Sequence, residues 1–321
     1  EADMKAKWIR LAIAKKVNEW VASIDDEALR EKVKDNVIVT GGCNVSMLLN
    51  EKGNDFDLYL RNRECALALA HYYVAKFKTN PPTNFKGESK QVDVSVREEA
   101  DGRIKIVVKS AGVAGEDGSD EDQYFESVPG DEAQNQFLDE ELGRERELGD
   151  ATEVAEEAKK AAGGKAKYRP IFLTANCVTL SDKVQVILRF FGEPEEIHSN
   201  YDFAHCTCFW DSKTRQLTLP PVALEAILAR DLRYLGGSKY PICAMVRLRK
   251  FLKRGWNVTA GQMLKIAHGI NKLDLSSISV LEDQLIGVDT AYFTQLIELL
   301  RQHDPDKVDG AYLMEVIDRI F

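Results

Sequence analysis

The alternation of apolar and polar positions divides the chain before any chemistry is considered. Residues 5–22 place Trp8, Ile9, Leu11, Ala12, Ile13, Val17 and Trp20 at helical spacing, which predicts an amphipathic helix. A short helix is expected over 26–34. "NVIVT" is a β-branched strand that stops at Gly41-Gly42. "NVSMLLN" reads as a helix start with Asn44 as its cap. "DFDLYL" alternates as a strand does, and "RECALALAHYYVAKF" is an amphipathic helix. "KQVDVSVREEADGRIKIVVKS" carries two alternating runs around "ADGR", a hairpin signal.

A stretch of about 111–165 then has few aliphatic residues, many Gly and much like charge, and reads as an insertion, disordered or loosely helical. Order resumes at "RPIFLTANCVTL". "KVQVILRFF" is a strand, "EPEEIHSN" a helical turn, and "YDFAHCTCFW" another strand. From Pro221 the pattern is mostly helical, over about 240–253, 259–268, 289–302 and 309–320. The order implies an α+β protein, a mixed sheet flanked by helices followed by a helical C-terminal domain. The expected parts are 1–110 and 168–220 for the mixed domain, 111–167 for the acidic insertion, and 221–321 for the helical domain.

Composition adds little to this, and charge adds more. With 44% apolar and 30% charged residues the 321-residue chain reads as a soluble globular protein. No apolar run reaches the 18 or so residues that a membrane span needs. Charges interrupt every apolar stretch near the N-terminus, so no signal peptide is expected and the chain is assigned to a cytoplasm. Six cysteines in a chain of this length read as free thiols. Between Glu116 and Glu157 stand 17 Asp/Glu against two Arg, a net of −15, although the whole chain carries only −9. The remainder is therefore mildly basic, at +6, and nucleotide or nucleic-acid binding by it is not excluded. The acidic segment itself reads as a linker, a partner-binding arm or a nucleic-acid mimic.

The candidate chemistry begins at "TGG" and "DFD". In a strand, residues i and i+2 share a face, so Asp55 and Asp57 present two carboxylates side by side. A divalent cation is the natural partner of such a pair, and hard oxygen ligands suit Mg²⁺ or Mn²⁺. Gly41 and Gly42 close a strand and open a helix, where backbone N–H groups can approach a phosphate. A phosphate cradle with metal-binding carboxylates is the apparatus of nucleotidyl transfer, in which two metals flank the in-line displacement.

The spacing of the Gly-Gly pair, a helix and a DxD strand resembles the signature of the nucleotidyltransferase superfamily, the DNA polymerase beta-like fold. The stretch from "RPIFLTANCVTL" through "NYDFAHCTCFWD" to "GSKYPICAMVRLRKFLKRGW" is similar to nucleotidyltransferase-like proteins of phages and large DNA viruses. The resemblance covers roughly 37–60 and 168–290 and leaves out the acidic segment. It implies transfer of an NMP from an NTP to an acceptor, with phosphate contacts at Gly41 and Gly42 and Mg²⁺ or Mn²⁺ held by Asp55 and Asp57. Cys43 stands where many members carry serine, and Ser46 is the substitute. The family adds a third acid from a neighbouring strand. Chain order favours Asp93 in "QVDVSV", whereas the resemblance favours Asp202 in "NYDFAHC", which is preferred as third metal ligand and catalytic residue. Ser238 and Lys239 are expected at the nucleotide, Ser238 being explained equally as a helix cap.

Other residues admit two readings each. His198, His205, Cys206 and Cys208 invite a zinc reading, but Cys206 and Cys208 would share one strand face and His205 the other, so core thiols are preferred. His205 is also a candidate to orient Asp202. Arg189 could reach a triphosphate or form a surface ion pair. The basic run 247–254 is either a solvated helix face or a surface for an RNA backbone. The acceptor could be an RNA 3′ end, a protein side chain or a small molecule, as in a toxin-like enzyme acting on the host. The rival class is a catalytically inactive member with a binding or virion-structural role.

Overall fold

The computed structural model describes residues 2–51, 55–79, 93–109, 167–173, 176–277, 280, 281 and 284. Contacts divide the chain into one unit of residues 1–197 and 209–218 and a second of 198–208 and 219–321. The acidic segment up to residue 166 and the helices expected over 289–302 and 309–320 lie outside the described residues.

The first unit runs α1 (Ala2–Ala22), α2 (Glu27–Val33), β1 (Val37–Thr40), α3 (Gly42–Leu49), β2 (Phe56–Leu60), α4 (Arg63–Thr79), β3 (Asp93–Glu98), β4 (Ile104–Lys109), β5 (Pro170–Leu173), β6 (Cys177–Leu180), β7 (Val184–Phe191) and α5 (Pro194–His198). It ends with β8 (Phe209–Asp211) and β9 (Gln216–Thr218). Seven of the described strands form one sheet in the order β5-β6-β7-β2-β1-β8-β9. All its pairs are antiparallel except β2 with β7, which is parallel, so the sheet is mixed. The α+β architecture expected from the sequence is the one observed.

One face of this sheet is apolar for a simple reason of period. Val39, Leu58, Val186 and Val178 are partners across four strands, and each is at most 1% exposed. Against them pack Ile9, Ile13, Val17 and Trp20 of α1 and Leu69, Tyr73 and Phe77 of α4. Each such buried side chain contributes roughly 1.5–3 kcal/mol. Trp20 Nε1 donates to the Tyr73 hydroxyl at 2.8 Å, so the polar ends of two large core rings satisfy each other. Trp8 and Leu11, which share the helical spacing, are instead 63% and 56% exposed.

Three local expectations change. The start of α3 is not capped by Asn44. Gly41 is its N-cap, with φ 89° and ψ −149°, a conformation that L side chains rarely adopt. That turn begins the helix three residues earlier than an Asn44 cap would and leaves Asn44 buried within it. The "ADGR" hairpin forms as β3 and β4, but as a separate two-stranded ribbon with Val94, Ile104 and Ile106 turned into the core. "YDFAHCTCFW" is not one strand. A 3-10 turn over Ala204–Thr207, held in part by the Thr207 hydroxyl donating to the Ala204 carbonyl at 2.8 Å, interrupts it before β8.

The second unit contains that turn and three described helices, α6 (Pro221–Ala229), α7 (Pro241–Lys253) and α8 (Ala260–Ile270). Arg230 in the left-handed conformation ends α6 just before "DLRYL". Pro241 opens α7 at a position where proline's missing N–H is not needed. His205 is 1% exposed among Phe203, Phe251 and Trp256, with ring centroids 6.0, 4.7 and 4.3 Å away.

Candidate active site

The face of the first unit's sheet opposite to its apolar layer carries a row of polar side chains. Thr40 on β1 is the partner of Asp57 on β2, Asp57 of Gln185 on β7, and Gln185 of Thr179 on β6. Directly opposed residues share a face. Thr40 and Thr179 at its ends are 0% and 2% exposed, while Asp57 and Gln185 between them are half-buried. Asp55, just before β2 and in phase with Asp57, is 4% exposed. Gln185 Nε2 donates to Asp55 Oδ2 at 3.2 Å. The Lys183 carbonyl accepts from Phe56 N at 2.9 Å and fixes the start of β2 against β7.

The Gly41-Gly42 turn follows Thr40 directly, so it stands at the end of the strand that faces Asp57. Cys43, in the first turn of α3, is 1% exposed. Burial first, and the Asp57 carboxylate next, push its thiol up, so it stays protonated. Ser46 lies one turn further along and is 4% exposed. The structure thus places the Gly41-Gly42 turn at the end of the strand paired with Asp57, with Asp55 in phase with Asp57. It adds Thr40, Gln185 and Thr179, which sequence reasoning missed. The available signal was Gln185, a polar position in the β-branched "KVQVIL" run. Nothing in the sequence gives the β2–β7 register.

The two candidates for a third carboxylate lie outside the seven-stranded sheet. Asp93 opens the β3–β4 ribbon, which is not part of the seven-stranded sheet. Asp202 belongs to the second unit, is 6% exposed, and forms an ion pair with Arg247 of α7. Burial disfavours the Arg247 charge, but the Asp202 carboxylate outweighs it and holds the guanidinium above its ordinary value. Among the described residues no three His, Cys, Asp or Glu side chains are gathered for a metal.

Also in the second unit, Ser238 and Lys239 line a cavity of about 470 Å³ with Tyr234, Lys265, His268 and Lys272. Ser238 is not the cap of α7, a place taken by Tyr240; its hydroxyl accepts from Tyr240 N at 3.1 Å. Of the basic run, Arg249, Lys253 and Arg254 are exposed, while Arg247 faces Asp202. Burial pushes the His205 imidazole down to about 3 and the Cys208 thiol up to about 12, which makes both neutral core groups. Arg189 is 7% exposed, with Nη1 3.4 Å from Asn176 Oδ1, and is not a surface residue. Among the described residues no helix is long and apolar enough to cross a membrane.

A sequence model described as "Gabija anti-defense 2 family protein" matches residues 11–230. "Gabija anti-defense 2" of Bacillus phage SPbetaL7 is 25% identical over 139 residues, which are 43% of this chain and 33% of that protein. The chain therefore matches about a third of this curated relative's length. Among solved structures, the Thermotoga maritima CCA-adding enzyme complexed with tRNA_CCA aligns with 90% of this chain and 56% of its own, at 10% identity and a TM-score of 0.38. A tRNA-processing enzyme with CTP aligns with 92% and 57%, at 12% identity and a TM-score of 0.37.

Proposed function

The chain belongs to the Gabija anti-defense 2 family, and from that premise we propose that it opposes this defence in the host cytoplasm as a metal-dependent nucleotidyltransferase. The observation that carries the reading is the pairing of Thr40 with Asp57. It sets two same-face carboxylates beside a glycine turn whose backbone can approach phosphate. The donor set fits a hard divalent cation. Asp55 and Asp57 would offer oxygen ligands within an otherwise neutral polar row, and Cys43, a soft donor beside Asp57, is held protonated.

In this reading the backbone N–H groups at Gly41 and Gly42 hold the phosphates of an NTP, with Ser46 in the next turn of α3. Asp55 and Asp57 would hold Mg²⁺ or Mn²⁺, which supplies charge neutralisation at the transferring phosphoryl group. The acceptor hydroxyl attacks the α-phosphorus, the bond to the β-phosphate's bridging oxygen breaks, and pyrophosphate leaves. A carboxylate of the pair takes the hydroxyl proton. Ser238 and Lys239 are assigned to the nucleotide and the exposed cations of 247–254 to an RNA acceptor. A second reading, a catalytically silent member that acts by binding, is favoured by the commitment of Asp202 to Arg247.

The test is label transfer from each α-labelled NTP, with Mg²⁺ or Mn²⁺, to host RNA or protein extract. Asp55→Asn with Asp57→Asn is expected to cost about a thousandfold or more in rate, the equivalent of several kcal/mol. An absence of transfer by the parent chain, with intact binding to a host component, establishes the second reading instead.

A further inference from the structure

We propose that Gln185 occupies the place of the third acid, so that the Asp55–Asp57 pair takes one divalent cation and Gln185 positions Asp55 for it. This rests on the nucleotidyl-transfer reading above. Within the seven-stranded sheet, a third carboxylate directly beside Asp57 on the same face would come from β1 or β7. The β1 neighbour is Thr40 and the β7 neighbour is Gln185. One strand further, on β6, the row continues with Thr179. None of the three is an acid.

The contact made by Gln185 identifies its role. A carboxamide has the size of a carboxylate but offers a donor in place of one oxygen. That donor is used: Nε2 gives a hydrogen bond to Asp55 Oδ2 at 3.2 Å. An ionised glutamate there would repel Asp55 unless a cation lay between them. The row beyond is neutral as well, and the Thr179 hydroxyl, 2% exposed, has no hydrogen-bond partner among the described residues. The centre therefore carries two negative charges from Asp55 and Asp57, enough to balance one divalent ion. Asp202 stays paired with Arg247 and takes no part in holding the cation.

The number of cations bound by the full chain tests this. Mn²⁺ alone, followed by electron paramagnetic resonance and equilibrium dialysis, is counted as the difference from the Asp55→Asn/Asp57→Asn chain, which subtracts ions held elsewhere. The parent chain is expected to show one such Mn²⁺, and Gln185→Glu two. Asp202→Asn is expected to leave the parent count unchanged. Gln185→Glu should also melt lower than the parent without metal and recover with Mn²⁺, which shows that it folds; Gln185→Asp serves if it does not. A count of two in the parent, one in a folded Gln185→Glu chain, or a loss caused by Asp202→Asn overturns the proposal and leaves the nucleotidyl-transfer reading standing. No difference in count between the parent and the doubly substituted chain overturns both.

Discussion

Gly41 combines two demands that a single residue rarely meets. It caps α3 with φ 89° and ψ −149°, and it stands one residue after Thr40, the partner of Asp57. A side chain there would have to adopt backbone angles reserved almost wholly for glycine. Gly41→Ala is therefore expected to lower stability by about 1–3 kcal/mol, measured by urea unfolding. It should also weaken NTP binding, because the α3 N-terminus would shift. At this scale the site was half legible. Asp55 and Asp57 declare themselves through a period of two, and the glycine pair through its place between strand and helix. Asn44 did not: a residue type common at caps sits inside the first turn, because glycine starts the helix before it. Gln185 was hidden because its meaning lies in its partner, and the partner is set by the fold.

Elements were more legible than their pairings. The patterns of α1, β1, β2, α4, the hairpin, β7, α7 and α8 follow from local periodicity and turn residues, and the boundaries fall close to those expected. The 3-10 turn at Ala204–Thr207 escaped because "YDFAHCTCFW" alternates well enough to pass for a strand, while its 202–204 part pairs with residues 233–235. Sheet order is set by contacts such as the clamp at Arg61, just after β2. Its guanidinium pairs with Glu193 after β7 and lies 2.7 Å from Asp211 at the end of β8, tying three strand ends. Arg61 and Asp211 side chains are only 13% and 12% exposed. Arg61→Ala should cost about 1–3 kcal/mol, since it leaves the Asp211 carboxylate poorly solvated and short of a partner. A double-mutant cycle with Asp211→Ala checks this; the combined loss should be smaller than the sum of the single losses.

At the scale of the whole molecule, acid should act first on the second unit through His205. The imidazole's ordinary value is 6.5, and burial among rings lowers it to about 3 in the folded chain. Between those values the unfolded chain binds a proton that the folded one refuses. Stability contributed by the neutral ring is thus present above pH 6.5 and falls as pH drops toward 3, by at most about 1.4 kcal/mol per pH unit. Urea unfolding at pH 7 and pH 5 should show a loss in the parent chain that exceeds the loss in His205→Phe by about 1–2 kcal/mol. The single parallel pair, β2 with β7, has a consequence of another kind. Its partners are separated by residues 61–183, so the middle of the sheet cannot close until β7 has left the ribosome. Until then β2 has only β1 beside it, and a slow, late step of assembly is the expected result. The same connection contains the whole acidic segment. Because closure entropy grows only with the logarithm of length, shortening the connection by about half would change it by only about 0.6 kcal/mol. The segment's length is therefore open to evolutionary change at little cost to the sheet it interrupts.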